Sequence, residues 1–159
     1  MFLVVGSMNV DLVVEVDEIP LAGETIMGSH RQEFFGGKGA NQAVAIARLG
    51  GKVSIVGCVG GQDKFGANIL ANLHKEGVDC EFVSAVTGEP TGVALVTVSK
   101  RGGENTVIVV PGANFALRVD HLPIDFSKYS TVMCQNEVPL EVTLEVFRRA
   151  KQAGRQTFW

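Results

Sequence analysis

Short apolar runs alternate with helical patterns along the chain. The apolar runs predict buried strands at residues 2–6, 52–57 and 131–135. Helical patterns follow these runs and end at Gly50, Gly77 and Gly154. Strand–helix–strand order predicts an α/β fold, with a mainly parallel sheet, right-handed crossovers and flanking helices.

Two segments of β pattern interrupt this order. Residues 10–35 partly alternate between apolar and polar positions around a turn at 20–23, which predicts a half-exposed hairpin. Residues 90–112 hold two strand patterns joined by a glycine-containing turn at 100–104. These two segments are the only candidates for a second structural unit.

Apolar side chains alternate within both β segments. The alternation puts Leu12, Val14 and Val16 on the face opposite Asn9 and Asp11. The same spacing recurs in Val93 with Leu95 and in Val107 with Val109. A small exposed sheet with an apolar face needs a ligand or a partner to cover it. We therefore expect a dimer that forms through these strands.

Composition and charge narrow the function classes. The net charge is −3 without a basic block, so nucleic-acid binding is not expected. No apolar run approaches the roughly 18 residues of a membrane span. The cysteines and histidines are scattered, which favours free thiols in a reducing cytosol over a metal site. Asp11 and Glu15, without basic residues before them, do not fit a signal peptide, so we expect a cytoplasmic protein.

A glycine-rich loop leads directly into the first predicted helix. Gly36, Gly37 and Gly39 leave the backbone open to a ligand, since none of them has a Cβ atom. The helix N-terminus presents unpaired N–H groups and a positive dipole end, which favour oxygen-rich ligands. Lys38 and Asn41 flank this backbone, and the spacing matches neither a Walker A loop nor a dinucleotide fingerprint. Close helix packing remains the alternative explanation of the glycines.

Polar side chains follow two of the predicted strands. Asn9 and Asp11 come after the first strand, and Glu137 comes after the strand that ends at 135. Ligands of parallel sheets bind outside the carboxyl ends of the strands, so these side chains are expected to converge with the loop 36–41. Carboxylates, an amide and backbone N–H groups suit several adjacent hydroxyls. Each residue alone also fits a role in a turn, a solvated strand or a helix N-terminus.

Three short motifs in the first third of the chain are more specific. They are Gly-Ser-Met-Asn-Val-Asp at 6–11, Pro-Leu-Ala-Gly-Glu-Thr at 20–25 and Gly-Gly-Lys-Gly-Ala-Asn-Gln-Ala at 36–43. These motifs resemble the ribokinases of the pfkB carbohydrate kinase family. Residues 91–95, 112–114 and 135–137 fit the same family, except that Asn136 stands where ribokinases usually carry an apolar residue. The likeness covers the whole chain and implies a ribokinase-like fold.

The resemblance implies a sugar site and a reaction. Sugar contacts are implied for Asn9, Asp11, Gly37, Lys38, Gly39, Asn41 and Glu137. Residues 1–159 would form the N-terminal part of a ribokinase-like domain. The segments at about 10–35 and 90–112 would be inserted in it as a β lid that also pairs two subunits. The implied activity is the ATP-dependent phosphorylation of a small sugar, D-ribose to ribose 5-phosphate, with a nucleoside or a fructose-type sugar as the rival substrate.

The resemblance also implies a second half that follows these residues. In the family, that half carries an Asp-Thr-x-Gly-Ala-Gly-Asp motif with the anion hole and the catalytic aspartate, and it binds ATP with Mg²⁺ and a monovalent cation. No Gly-Ala-Gly-Asp occurs here, and the chain stops at Trp159 inside a predicted strand. We therefore expect a fragment without the C-terminal half, with no catalytic or metal-binding residue, that binds no cofactor and is inactive alone. The alternative is a non-catalytic product that binds sugar, dimerises or does neither.

Overall fold

The computed structural model describes residues 1–159, which form two β-sheets and three α-helices. The strands are β1 Phe2–Val5, β2 Asn9–Val16, β3 His30–Gly36, β4 Val53–Gly60, β5 Asp79–Val86, β6 Gly92–Ser99, β7 Asn105–Val110, β8 Thr131–Cys134 and β9 Gln156–Phe158. The helices are α1 Lys38–Arg48, α2 Lys64–Lys75 and α3 Leu140–Gln152. Two short 3₁₀ helices, Gly112–Ala116 and Val119–His121, lie between β7 and β8.

The larger sheet has five parallel strands in the order β5-β4-β1-β8-β9. The central strand β1 pairs Phe2 with Val53 of β4 on one side and with Thr131 of β8 on the other. All strands therefore end at the same edge, which brings the segments after β1 and β8 together. The predicted α/β fold with a mainly parallel sheet is confirmed.

Apolar side chains cover both faces of this sheet. On one face, Leu3 and Val5 pack with Val142 and Val146 of α3. On the other face, Ile55 and neighbouring residues pack against α1 and α2. All eight positions of β4 are buried, which explains why its sequence is a continuous apolar run without alternation.

The helix ends agree with the sequence signals. Asp63 caps α2, because its carboxylate accepts a hydrogen bond from the Gly66 N–H at 2.9 Å. The three helices are followed by glycines in the left-handed region, with φ angles of 81°, 81° and 68° at Gly50, Gly77 and Gly154. None of these helices combines the length and the apolar character that crossing a bilayer requires.

The smaller sheet has four strands in the order β3-β2-β6-β7 and is called the four-stranded sheet below. It brings together both β segments of the sequence, with β2 and β6 parallel at its centre. Asn9 of β2 pairs with Gly36 of β3 and with Gly92 of β6. Asn9 therefore lies where the four-stranded sheet meets the loop that precedes α1.

The register of the four-stranded sheet divides the alternating apolar residues of the second β segment between its two faces. Val93 and Leu95 pair with Val110 and Ile108, on the face that also carries Leu12. Val107 and Val109 lie on the opposite face, because Val109 pairs with Ala94 and Ala94 with Asp11. Alternation determines the facing within one strand, whereas the turn at 100–104 sets which residues of β6 and β7 are opposite each other.

Candidate functional site

The loop before α1 packs closely on the segment that leaves β1. Gly37 has a φ of 89°, and a Cβ atom there would lie 2.7 Å from the Ser7 carbonyl oxygen. A Cβ atom at Gly39 would lie 2.6 Å from the backbone carbon of Gly6. The Ala40 N–H donates a hydrogen bond to the Ser7 carbonyl at 2.9 Å. The glycines therefore allow the helix N-terminus to approach the carboxyl end of β1.

Glu137 joins this loop to the end of β8. Its carboxylate accepts hydrogen bonds from the Ser7 hydroxyl at 2.6 Å and from the Lys38 backbone N–H at 3.2 Å, and it forms an ion pair with Lys38 Nζ. Burial would raise the pKa of Glu137, but the hydrogen bonds from Lys38 and Ser7 outweigh it and the pKa is lowered. Glu137 is therefore held as a charged acceptor between two strand ends.

Asp11 lies two residues beyond Asn9 on the same face of β2. Its carboxylate packs against Gly36, where a Cβ atom would lie 2.6 Å from Oδ1. Burial raises the pKa of Asp11, and the negative charge of Glu137 raises it further. The two carboxylates are therefore close enough to influence each other, and their pKa values shift in opposite directions.

Asn114 orients Asn9. The Asn114 side chain is buried; its Oδ1 accepts a hydrogen bond from the Met8 N–H, and its Nδ2 donates to Asn9 Oδ1, both at 2.8 Å. Asn114 Nδ2 also donates to the Pro111 carbonyl at 2.9 Å. Since the Asn9 oxygen is engaged in this way, the Asn9 Nδ2 group has no partner in the protein and remains available to a ligand.

Two adjoining clefts meet at Glu137. The first, of about 300 Å³, is lined by Asn9, Asn114, Asn136 and Glu137 together with Val109, Pro111 and Phe115. The second, of about 440 Å³, is lined by Lys38, Gln42, Cys134, Gln135, Asn136, Glu137 and Trp159. Asn136 and Glu137 form the boundary that both clefts share.

Asn41 lies apart from these clefts. It occupies the first turn of α1, is exposed, and lines a separate cleft of about 420 Å³ with Phe34, Phe35 and Arg48. The structure thus places Asn9 in the first cleft, Lys38 in the second and Glu137 in both, with Asp11, Gly37 and Gly39 adjacent to them. A ligand role for Asn41 stays a prediction.

The site contains several residues that the sequence did not predict to be part of it. Ser7 and Asn114 each hold one of the predicted residues in place. Gln135 Nε2 donates to Gln42 Oε1 at 2.5 Å, and the indole N–H of Trp159 donates to Asn136 Oδ1 at 3.1 Å. All of these residues except Trp159 lie in the motifs that carry the family resemblance, but the resemblance gave them no individual role, and polar residues next to strand ends are common in turns.

The site can bind a molecule that carries several hydroxyl groups. Carboxylates accept hydrogen bonds from hydroxyls, and amide NH₂ groups donate to their oxygens. No group of three or more His, Cys, Asp or Glu side chains is placed to hold a metal ion. The arrangement therefore favours recognition by hydrogen bonding.

Comparison with known proteins relates this chain to a family of enzymes. Residues 1–158 match the pfkB family of carbohydrate kinases. The chain is 38% identical to the ribokinase of Dictyostelium discoideum, over 96% of this chain and 48% of that protein. It is 42% identical to the ribokinase of Bacillus subtilis (strain 168), over 90% of this chain and 49% of that protein. The chain thus spans about half the length of the curated relatives it matches.

Solved structures show the same relationship. Arabidopsis thaliana ribokinase complexed with ribose and ATP superposes with a TM-score of 0.85 at 34% identity, over 98% of this chain and 51% of that one. A fructokinase from Xylella fastidiosa gives a TM-score of 0.79 at 28% identity, over 98% of this chain and 50% of that one. The fold described above is therefore the ribokinase-like fold, over about half of each neighbour.

Proposed function

Since this chain belongs to the pfkB family of carbohydrate kinases, we propose that it is the sugar-binding half of an ATP-dependent kinase that converts D-ribose to ribose 5-phosphate. The observation that carries the proposal is the meeting of Asn9 and Glu137 in one cleft at the carboxyl ends of the strands, with Asp11 beside them. Anchored acceptors and a free amide donor suit the vicinal hydroxyls of a pentose.

In this proposal each site residue has a distinct role. Asp11 accepts hydrogen bonds from sugar hydroxyls, and Asn9 donates from its free Nδ2 group. Glu137 is a further acceptor, fixed by Lys38 and Ser7. Gly37 and Gly39 keep the backbone open, and Asn41 is an additional contact. The four-stranded sheet acts as the lid over the sugar, as part of a ribokinase-like domain.

ATP with Mg²⁺ and a monovalent cation would be bound elsewhere in the whole protein. The residues present here do not fit these groups, because no cluster of three or more His, Cys, Asp or Glu side chains is placed to hold a metal and no Gly-Ala-Gly-Asp occurs in the chain. Lys38 is engaged by Glu137, so it is not free for a phosphate in this arrangement.

A fructose-type sugar is the second candidate substrate. It is supported by the likeness to the Xylella fastidiosa fructokinase, at 28% identity, whereas the Arabidopsis thaliana ribokinase reaches 34% over the same share of the chain. Ribose is therefore preferred. A fragment that only binds sugar or only dimerises is the alternative from another class. It differs from the kinase half in whether the C-terminal half of a ribokinase restores activity when it is added.

Calorimetric titration of the 159-residue chain with D-ribose, D-fructose and adenosine tests the substrate. We expect ribose to bind best. Asp11→Ala should weaken ribose binding about ten- to a hundredfold, because hydrogen bonds to charged acceptors contribute roughly 1.5–3 kcal/mol each. Asp125→Ala is the matched control, since Asp125 is an exposed carboxylate that accepts a hydrogen bond from its neighbour Ser127. Equal ribose affinity in wild type and Asp11→Ala would contradict the assignment of this site.

We also propose that two copies pair through the four-stranded sheet. Its face opposite Asn9 and Asp11 exposes Leu95, Ile108 and Val110, each at least 45% accessible. Exposed apolar positions that continue across two neighbouring strands, β6 and β7, favour association with a second such sheet. A cytoplasmic location remains a prediction from the sequence.

A further inference from the structure

Asn136 occupies a position that neither the sequence motifs nor the proposed function explains. It follows β8 and immediately precedes Glu137, and its exposed side chain lines both clefts at their shared boundary. A polar side chain at a cleft wall can be a solvated surface group or a ligand contact. The partners of its amide distinguish these two roles.

Trp159 fixes the orientation of the Asn136 amide. The indole N–H is a donor only, and it donates to Asn136 Oδ1 at 3.1 Å. The amide oxygen must therefore face Trp159. The structure gives the Nδ2 group of Asn136 no partner in the protein, so its two N–H donors remain available.

Asn9, which lines the same 300 Å³ cleft, shows the same arrangement. There the amide oxygen accepts from Asn114 Nδ2 at 2.8 Å, and the Asn9 Nδ2 group is left without a protein partner. Two other side-chain donors nearby are already engaged: Asn114 Nδ2 has three acceptors, and Lys38 Nζ is paired with Glu137. The cleft thus presents two anchored neutral donors beside its carboxylates.

From this geometry we propose that Asn136 is a sugar-contacting residue, whose Nδ2 group donates a hydrogen bond to the hydroxyl oxygen at C1, C2 or C3 of the bound sugar. The inference rests on the proposed function, because the ligand is the pentose of that site. A sugar oxygen has lone pairs that a carboxylate cannot satisfy, so each oriented donor adds selectivity for an oxygen at one position of the ring. Trp159 is the positioning residue for this contact.

The test compares four purified chains, namely wild type, Asn136→Leu, Trp159→Phe and Asp125→Ala, with circular dichroism to establish that each is folded. Each chain is titrated calorimetrically with D-ribose, 2-deoxy-D-ribose, 3-deoxy-D-ribose and 1,4-anhydro-D-ribitol. Asn136→Leu keeps a similar side-chain volume and removes the amide. We expect it to bind ribose about two- to tenfold more weakly, as for the loss of one neutral hydrogen bond.

The selectivity pattern separates a contact from a purely structural role. If Asn136 touches one oxygen, Asn136→Leu loses affinity for ribose but not for the analogue that lacks that oxygen. Trp159→Phe should lose less, because the donor remains and only its orientation is freed. Equal ribose affinity in wild type and Asn136→Leu, or a uniform loss over all four sugars, overturns the inference while the proposed function stands. A wild-type chain that binds none of the sugars overturns both.

Discussion

Asp11 and Glu137 are neighbouring carboxyl groups with opposite pKa shifts because their partners differ. Glu137 receives hydrogen bonds from Lys38 and Ser7 that outweigh its burial, so its pKa falls below the ordinary 4.5. The pKa of Asp11 is raised above the ordinary 3.8, mainly by burial and further by the negative charge of Glu137. Above its folded pKa, the charged form of Asp11 is therefore retained at a cost to folding, as is common for residues that bind ligands.

Asp11→Asn should make the chain more stable and bind ribose more weakly. A raised pKa means that the folded state holds the Asp11 proton more tightly than the unfolded state, so this group lowers stability as pH rises from 3.8 through its folded pKa. The variant should therefore gain stability against urea at pH 7 but not below pH 3.8. Urea unfolding at both pH values, with ribose titration at pH 7, measures the two effects. A variant less stable than wild type at pH 7 would contradict the assigned shift.

Gly39→Ala should destabilise the fold although alanine is the better helix former. A Cβ atom there would lie 2.6 Å from Gly6 C and 2.7 Å from Ser7 N, and these backbone atoms cannot rotate away. Overpacking of this kind costs about 1–3 kcal/mol, which exceeds the roughly 1 kcal/mol that alanine gains over glycine in a helix. Asn68→Ala, at an exposed position of α2, is the control and should be neutral or slightly stabilising. Urea unfolding distinguishes the two, and a stabilised Gly39→Ala would show that the helix is free to move.

Asp63 connects two elements, the start of α2 and the start of β6. Its carboxylate accepts from Gly66 N–H at 2.9 Å, from Thr91 N–H at 2.7 Å and from the Thr91 hydroxyl at 2.8 Å. The Thr91 hydroxyl in turn accepts from Gly60 N–H at 2.9 Å. One side chain thus ties the five-stranded sheet, its helix and the entry to the four-stranded sheet together.

Asp63→Ala should destabilise the chain by at least the 0.5–2 kcal/mol or so of a lost N-cap, and β6 should exchange its amide hydrogens faster. Burial would raise the pKa of Asp63, but hydrogen bonds from Thr91 and Gly66 lower it, so its stabilisation is present above pH 3.8 and is lost as pH falls further. Urea unfolding at pH 7 measures the loss of stability, and hydrogen exchange measures the faster exchange of β6. The control Asp125→Ala should change neither the stability nor the exchange. Unaltered exchange in β6 would show that Asp63 acts on α2 alone.

The elements that sequence predicted well are those whose signals are local. Gly50 and Gly77 follow helix ends in the left-handed conformation, which glycine adopts without steric strain. The sequence of β4 is a continuous apolar run because both faces of this strand are buried. Alternation within each strand does not determine the register between β6 and β7. The sequence therefore did not predict that Val107 and Val109 lie on the face opposite Val93 and Leu95. Ser7 and Asn114 were missed because their role depends on residues 130 and 105–106 positions away in the chain.

At the scale of the whole molecule, the apolar face of the four-stranded sheet predicts a dimer that one charge should disrupt. Ile108 lies on that face with Leu95, and it is 63% exposed in the single chain. Val107, its neighbour in β7, is 52% exposed on the opposite face. Ile108→Lys should give monomer in sedimentation velocity at concentrations where wild type is dimeric, because a buried lysine without a partner is costly. Val107→Lys should leave the dimer intact, and a monomeric wild type at tens of micromolar would contradict the pairing.

The last prediction is that the 159-residue chain binds ribose but does not phosphorylate it. Phosphoryl transfer depends on positioning and on stabilising developing charge, so it needs the donor's pocket as much as the acceptor's. Within this chain Glu137 is engaged by Lys38 and Ser7, and no group is placed as a metal site. A general base typically contributes about 10²–10⁴-fold and a well-aimed oxyanion donor about 10²–10³-fold, and such groups act as a unit.

Mixing experiments test this prediction directly. The chain exposes Phe158 of the edge strand β9 and the adjacent Trp159, at 56% and 73%, where a further parallel strand would pair. We expect no ribose phosphate above a no-enzyme control when the chain is incubated with ribose and labelled ATP. Co-expression with the C-terminal half of the Bacillus subtilis ribokinase should restore turnover, and the Asp11→Ala chain in the same pairing should not. Turnover by the chain alone, in preparations free of host kinase, would contradict the prediction. If the pairing with wild-type chain assembles and binds ATP and ribose yet stays inactive, the chain is a non-catalytic sugar binder.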